Sequence, residues 1–255
     1  MSAEAGARGA SLQTVDVSAG YEGRPVVQGV SVHVEPGQVV SIVGPNGSGK
    51  STLLKSIAGV VKVLSGRVMF DGVDITNRTP EDIARAGVGY VPQVDDVFPP
   101  LSVRENLEMG GYLLRRKDVA GRIDRVLETF PRLSTMLSRR AGQLSGGERK
   151  MLAMGRVLML EPSALVLDEP TANLAPLIAS ELLRDHVRRL ATNGAAVLIV
   201  EQRAKAVLAI SDHTYVLGGG RLRMEGSPAV LAESPDFVDS FLGGSRTHSA
   251  NSVGQ

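Results

Sequence analysis

A run of apolar, mostly β-branched residues, Val39 to Val43, passes straight into Gly44-Pro45-Asn46-Gly47-Ser48-Gly49-Lys50-Ser51, and from Lys50 to Ala58 the pattern becomes helical. Few folds admit this order of strand, glycine-rich loop and helix. The glycines let the loop turn its amides inward, and the positive end of the following helix points at the same spot, so the loop suits an anion. Two glycines separated by four residues and followed by Lys-Ser match the loop that cradles nucleotide phosphates. Gly44, Pro45, Asn46, Gly47, Ser48, Gly49, Lys50, Ser51 and Thr52 are therefore the expected binding residues. Among them Lys50 neutralises charge on the β- and γ-phosphates, and Ser51 offers its hydroxyl to Mg²⁺.

The remaining pattern is α/β. Leu12 to Val17 and Val30 to Val34 read as strands, so a β-rich lobe opens the chain. Gly66 to Phe70 and Val88 to Val91 follow as strands, with Pro80 opening a short helix between them. Ser102 and Glu105 form a capping box ahead of a helix to Leu114, and Asp118 to Phe130 continues helically as far as Pro131. Helices over Gly146 to Leu160, Pro176 to Leu190 and Ala204 to Ile210 then alternate with strands at Leu165 to Leu167 and Val197 to Val200. Such alternation implies a parallel sheet covered by helices. The fold is expected over 11–242, with a helical subdomain at about 102–155 and flexible, unpatterned ends at 1–10 and 243–255.

Composition narrows the function. With 255 residues, 43% of them hydrophobic, the chain can bury the core of one large domain. Its 28 basic and 27 acidic side chains leave a formal charge of +1, which supplies no general attraction to nucleic acid. Arg139-Arg140 is too small for a nucleic-acid groove, and Arg115-Arg116-Lys117 is expected at a helix end, where cations complement the dipole. The absence of cysteine excludes disulfides and thiolate metal sites, while His33, His186, His213 and His248 lack ligand spacing. The longest apolar runs, such as Ala195 to Val200, fall far short of the roughly 20 residues of a membrane helix, and no secretory leader opens the chain. A soluble cytoplasmic chain is expected.

A phosphate loop needs an acidic partner for Mg²⁺ and, for hydrolysis, a group that orients water. Ala164-Leu165-Val166-Leu167-Asp168-Glu169 offers both: Asp168 at the end of a buried strand beside the metal, Glu169 as the base or water-orienting carboxylate. Leu144-Ser145-Gly146-Gly147-Glu148 adds a second glycine-rich helix start. Alone, Ser145 reads as an ordinary N-cap. One nucleotide does not need two amide clusters from one chain, but a head-to-tail pair of chains would use both, Ser145, Gly146 and Gly147 reaching the γ-phosphate held by the other.

The phosphate loop, Leu144-Ser145-Gly146-Gly147-Glu148 and Asp168-Glu169, in this order within about 11–242, resemble the ATP-binding subunit of an ABC transporter, and the resemblance implies the P-loop ABC ATPase fold. It implies that Tyr21 stacks on adenine, the alternative being a half-buried core tyrosine, and that Gln93 links Mg²⁺ and the attacking water to the membrane-facing surface. Gln202 stands where the family has its switch histidine; it still donates a hydrogen bond to a γ-phosphate oxygen but carries no proton. Ala175 stands where the family commonly has aspartate. Val200-Glu201-Gln202, Leu174-Ala175-Pro176 and Phe241-Leu242-Gly243-Gly244 are similar to the smaller ATPase of branched-chain amino acid importers. Gln93-Val94-Asp95-Asp96 departs from their Glu-Gly-Arg sequence; Asp95 and Asp96 face the permease or form a solvated acidic loop. The resemblance implies ATP and Mg²⁺ as cofactors, separate permease subunits, a second ATPase subunit, a periplasmic or extracellular solute-binding protein acting indirectly, and residence at the cytoplasmic face of the membrane. A soluble mechanical or regulatory ATPase of the same type, in translation or DNA repair, is the alternative.

Overall fold

The computed structural model describes residues 10–94 and 96–237. Expectations for 1–9, Asp95 and 238–255, including the Phe241 to Gly244 motif and the tail at 243–255, lie outside them. Two sheets frame the molecule. The first is antiparallel, in the order β2-β1-β4-β5, from β1 (Leu12–Tyr21), β2 (Arg24–Val34), β4 (Val63–Phe70) and β5 (Val73–Asp74). The second has the order β10-β9-β3-β8-β7-β6, from β3 (Val39–Val43), β6 (Val88–Val91), β7 (Ala164–Asp168), β8 (Ala196–Val200), β9 (His213–Gly218) and β10 (Arg221–Gly226). It is parallel except for β10, which turns back along β9.

The central strands are buried on both faces, which explains their unbroken apolar runs. Period-two alternation splits them between two cores. Val40, Ile42, Val166 and Leu198 face α1 (Lys50–Ile57), whose Leu53, Leu54 and Ile57 also pack against β1 and β2, so α1 fills the space between the sheets. Val39, Val43, Leu165, Leu167, Val197 and Ile199 face the other way, into a second core that also takes in α5 (Gly146–Leu158), against which α3 (Val103–Gly110) and α4 (Arg116–Thr129) pack. Each such aliphatic side chain contributes about 1.5–3 kcal/mol on burial. A further helix, α2 (Pro80–Ala86), is capped by Thr79 and closes the gap before β6. No helix among the described residues is long and apolar enough to cross a membrane.

Several sequence expectations are corrected. The opening strands run on to Tyr21 and start back at Arg24, because Glu22 and Gly23 take the left-handed conformations of a tight hairpin turn. The helix after Ser102 ends at Gly110, short of Leu114, while its capping box is present as expected. Arg115-Arg116-Lys117 opens α4 rather than ending a helix, so the trio meets the positive end of the dipole, and Asp118 in the same turn supplies the favourable charge. The single helix expected over Pro176 to Leu190 is α6 (Pro176–Glu181), a π-type turn at Leu182–Val187, and α7 (Arg188–Thr192). The wider turn lets Leu182, Leu183 and Val187 all face the core. After α8 (Ala204–Leu208), the β9–β10 hairpin is an element the periodicity did not suggest; Gly219 and Gly220, both at positive φ, make its turn. The described chain closes with α9 (Pro228–Ala232) and α10 (Pro235–Phe237).

Candidate functional site

The phosphate loop joins the end of β3 to α1, and its glycines are demanded by crowding as well as by conformation. A Cβ on Gly44 would sit 2.2 Å from the Leu217 carbonyl oxygen of β9, and one on Gly49, at φ 98°, would sit 2.5 Å from Val27 Cγ1. The unforeseen hairpin is thus the wall of the loop, and Gly220 N–H donates to the Ser48 carbonyl at 3.1 Å. No side chain caps α1, so backbone amides alone serve the helix start. Ser48 Oγ is buried without a protein hydrogen-bond partner, an orphan that a phosphate oxygen would satisfy. Lys50 Nζ donates to the carbonyls of Gly44 (2.9 Å) and Pro45 (3.0 Å). Burial lowers its pKa, opposed by the charges of Glu169 and Asp168.

Opposite the loop, Asp168 ends β7 and accepts from Ser51 Oγ at 2.9 Å, joining the two expected metal ligands. Burial raises its pKa; the Ser51 hydrogen bond opposes that and the Glu169 charge adds to it. Tyr90 of β6 donates from its hydroxyl to the other Asp168 oxygen at 3.4 Å. Glu169 is held at φ 47°, a left-handed conformation rare for such a residue, by its N–H bond to the Val200 carbonyl at 2.9 Å. That strain turns its carboxylate to meet two amides. Gln93 Nε2 donates to Oε2 at 2.7 Å, and Gln202 Nε2 lies 3.0 and 2.9 Å from Oε1 and Oε2. The strand order explains the meeting, since Gln93 follows β6, Glu169 follows β7 and Gln202 follows β8, three neighbours in the sheet.

Asn46, Gly47, Gly49, Lys50, Ser51, Thr52, Gln93, Glu169 and Gln202 line one cleft of about 300 Å³. Tyr21 stands outside its lining, 51% exposed at the end of β1. Ser145 caps α5 in a capping box with Glu148, and Ser145, Gly146 and Gly147 do not line the cleft of their own chain. Asp96, expected at the permease-facing surface or in a solvated loop, is buried and ion-paired with Lys150, because α5 packs over that segment. Sequence reasoning also missed Tyr90, whose rarity in an aromatic-poor chain was the available signal, and Glu201. Glu201 is buried beneath the site and accepts from Thr171 N–H at 2.8 Å; burial raises its pKa, with the Thr171 hydrogen bonds opposing. A second, apolar groove of about 320 Å³ runs between α2, β6, α3 and α5, with Val60, Met109 and Tyr112 exposed along it.

Comparison with known proteins agrees with this geometry. The family model for ABC transporter matches residues 27–172. The chain is 41% identical to the probable branched-chain amino acid transport ATP-binding protein LivF of Archaeoglobus fulgidus, over 91% of this chain and 98% of that protein. It is 40% identical to the high-affinity branched-chain amino acid transport ATP-binding protein BraG of Pseudomonas aeruginosa, over 89% and 97%. Among solved structures, an ATP-binding cassette of an ABC transporter in its ADP conformation superposes with a TM-score of 0.82 at 33% identity, covering 92% of this chain and 99% of that one. With its phosphate loop, acidic strand end and second glycine-rich helix start on one P-loop ABC ATPase fold, the chain belongs to the ABC transporter family of ATP-binding proteins.

Proposed function

We propose that this ATPase is the energy-coupling subunit of an importer for branched-chain amino acids or related hydrophobic amino acids and amides. The observation that carries the catalytic part is the clamp on Glu169: two amides hold its carboxylate in the cleft that Lys50 and Ser51 also line. A water placed for in-line attack on the γ-phosphate gives its proton to, or is oriented by, Glu169, while Gln93 and Gln202 fix the direction of that carboxylate. Lys50 leaves its carbonyl partners for phosphate oxygens, and the loop amides with Ser48 Oγ take the rest of the anion. Ser51 and Asp168 present hard oxygen donors suited to Mg²⁺, which when bound neutralises charge on the phosphates. Tyr21, exposed at the end of β1, offers its ring to the adenine.

The exposed Ser145 and Gly146 serve the nucleotide of a second ATPase subunit in a head-to-tail pair, identical or different. The apolar groove, with Val60, Met109 and Tyr112 on its rim, is the seat for a segment of a separate permease at the cytoplasmic face of the membrane. A solute-binding protein acts on the far side of that permease. The names of the relatives, transport proteins for branched-chain amino acids, support this substrate class over a soluble role in translation or DNA repair. The test is a detergent-solubilised pull-down of the chain from its native cell with mass spectrometry. A multi-spanning permease together with a second ATPase is expected; ribosomal or DNA-repair partners without any membrane protein would overturn the reading.

A further inference from the structure

Five residues after Ser145, the second turn of α5 sends a lysine back toward the catalytic cleft. Lys150 Nζ donates to the Gln93 carbonyl at 2.7 Å and to Asp96 Oδ2 at 2.6 Å, and the two charged side chains are only 10% and 7% exposed. Farther along the same helix, Arg156 donates to the Asp96 carbonyl and sets its guanidinium 4.4 Å from the centre of the Phe98 ring. The helix therefore holds the segment after β6 at Gln93, Asp96 and Phe98. Gln93 in turn spends its side-chain amide on Glu169 at 2.7 Å. One end of α5 carries Ser145, and its next turn governs the main chain of the residue that aims Glu169.

A buried ion pair is a poor choice where stability is the aim, because desolvation of both charges offsets their attraction and an apolar pair of similar volume does as well. Its advantage is registry. Apolar contacts slide over one another, whereas a lysine bonded at once to a carbonyl and a carboxylate in a dry site accepts few positions. We propose that the Asp96–Lys150 pair is a tether that fixes Gln93 relative to α5, making both positioning residues through which the signature helix sets the aim of Glu169. The inference rests on the catalytic reading of Glu169 given above. Movement of α5 toward a second subunit's nucleotide would then bring Gln93 and Glu169 with it, and hydrolysis would follow pairing rather than precede it.

The test uses the full-length chain at concentrations that allow two copies to pair, measuring steady-state ATP hydrolysis and, separately, nucleotide affinity. Lys150→Met and Asp96→Asn are each expected to lower kcat about ten- to a hundredfold with KM for ATP within about twofold of wild type. The double variant, which leaves no unpaired buried charge, is expected to fold and to lose no more than either single change, the mark of two residues acting as one unit. Lys150→Arg should recover most of the rate. A purely structural pair would lower the unfolding midpoint and leave kcat per folded molecule unchanged, and that result in the double variant overturns the tether. A wild-type chain that never turns over ATP refutes the ATPase reading and this inference together, so the two failures are told apart by the wild-type control.

Discussion

Asn106 supplies the sharpest test of how the segment between Gln93 and α3 is held. The side chain is completely buried, and its Oδ1 accepts from Phe98 N–H at 2.8 Å while Nδ2 donates to the carbonyls of Phe98 (3.0 Å) and Ser102 (2.9 Å) and, more weakly, Leu101 (3.4 Å). In Asn106→Ala the carbonyls keep partners, since Phe98 O still accepts from Leu101 N–H, Ser102 O from residue 106 N–H and Leu101 O from Ala141 N–H. Phe98 N–H loses its acceptor. The two well-formed bonds that Nδ2 donates, at about 1 kcal/mol each, with about 1 kcal/mol for the Phe98 N–H orphaned by loss of the third, put the loss near 3 kcal/mol. In a domain of this size that lowers Tm by roughly 6–12 °C. Urea unfolding monitored by circular dichroism gives the loss directly, with the slope unchanged if only stability moved. A loss under about 1 kcal/mol would mean that the amide is not what holds the turn, and would refute the reasoning.

Other outcomes follow from the site. Glu169→Gln should retain ATP binding and lose turnover, as an amide cannot accept the water's proton; undiminished steady-state hydrolysis would remove Glu169 from the mechanism. Lys50→Ala should lose nucleotide affinity itself, and equal affinity in a titration would sever Lys50 from the phosphates. Burial raises the Glu201 pKa, so the native state holds this proton more tightly than the unfolded chain, and the associated stability is complete below the ordinary value of 4.5 and lost as pH rises through the raised one. Glu201→Gln should therefore gain stability relative to wild type as pH rises from 5 to 8. An identical pH dependence of the two urea midpoints would refute that.

What the sequence made legible was local. The phosphate loop, the capping box at Ser102, the N-cap at Ser145 and the buried strands expected at Val39 to Val43, Leu165 to Leu167 and Val197 to Val200 are written in near-neighbour residues, and each stands within a residue of where the pattern put it. Strand order is what brought Gln93, Glu169 and Gln202 together, and no spacing along the chain encodes that three loops end side by side. Asp96 was misread because an acidic pair in a loop looks solvated until the lysine that answers it, on a helix 54 residues later, is packed over it. The β9–β10 hairpin was missed because β9 is buried and mixed in character while β10 alternates weakly around arginines. Gly218-Gly219-Gly220 was the available sign.

The place of β3 in the sheet has a consequence for how the chain is made. Both neighbours of β3 come late: Val39 pairs with Val197, and 197 − 39 leaves 158 residues to be synthesised first, with β9 later still. At roughly 5–20 residues per second, that interval is about 8–32 s on the ribosome. The β1–β2 hairpin closes from near neighbours within that time, whereas Val39 to Val43, uncharged and rich in β-branched residues, waits with both edges bare. The strand that later carries the phosphate loop is thus an adhesive segment of the nascent chain, with neither of its sheet neighbours made until the last third emerges.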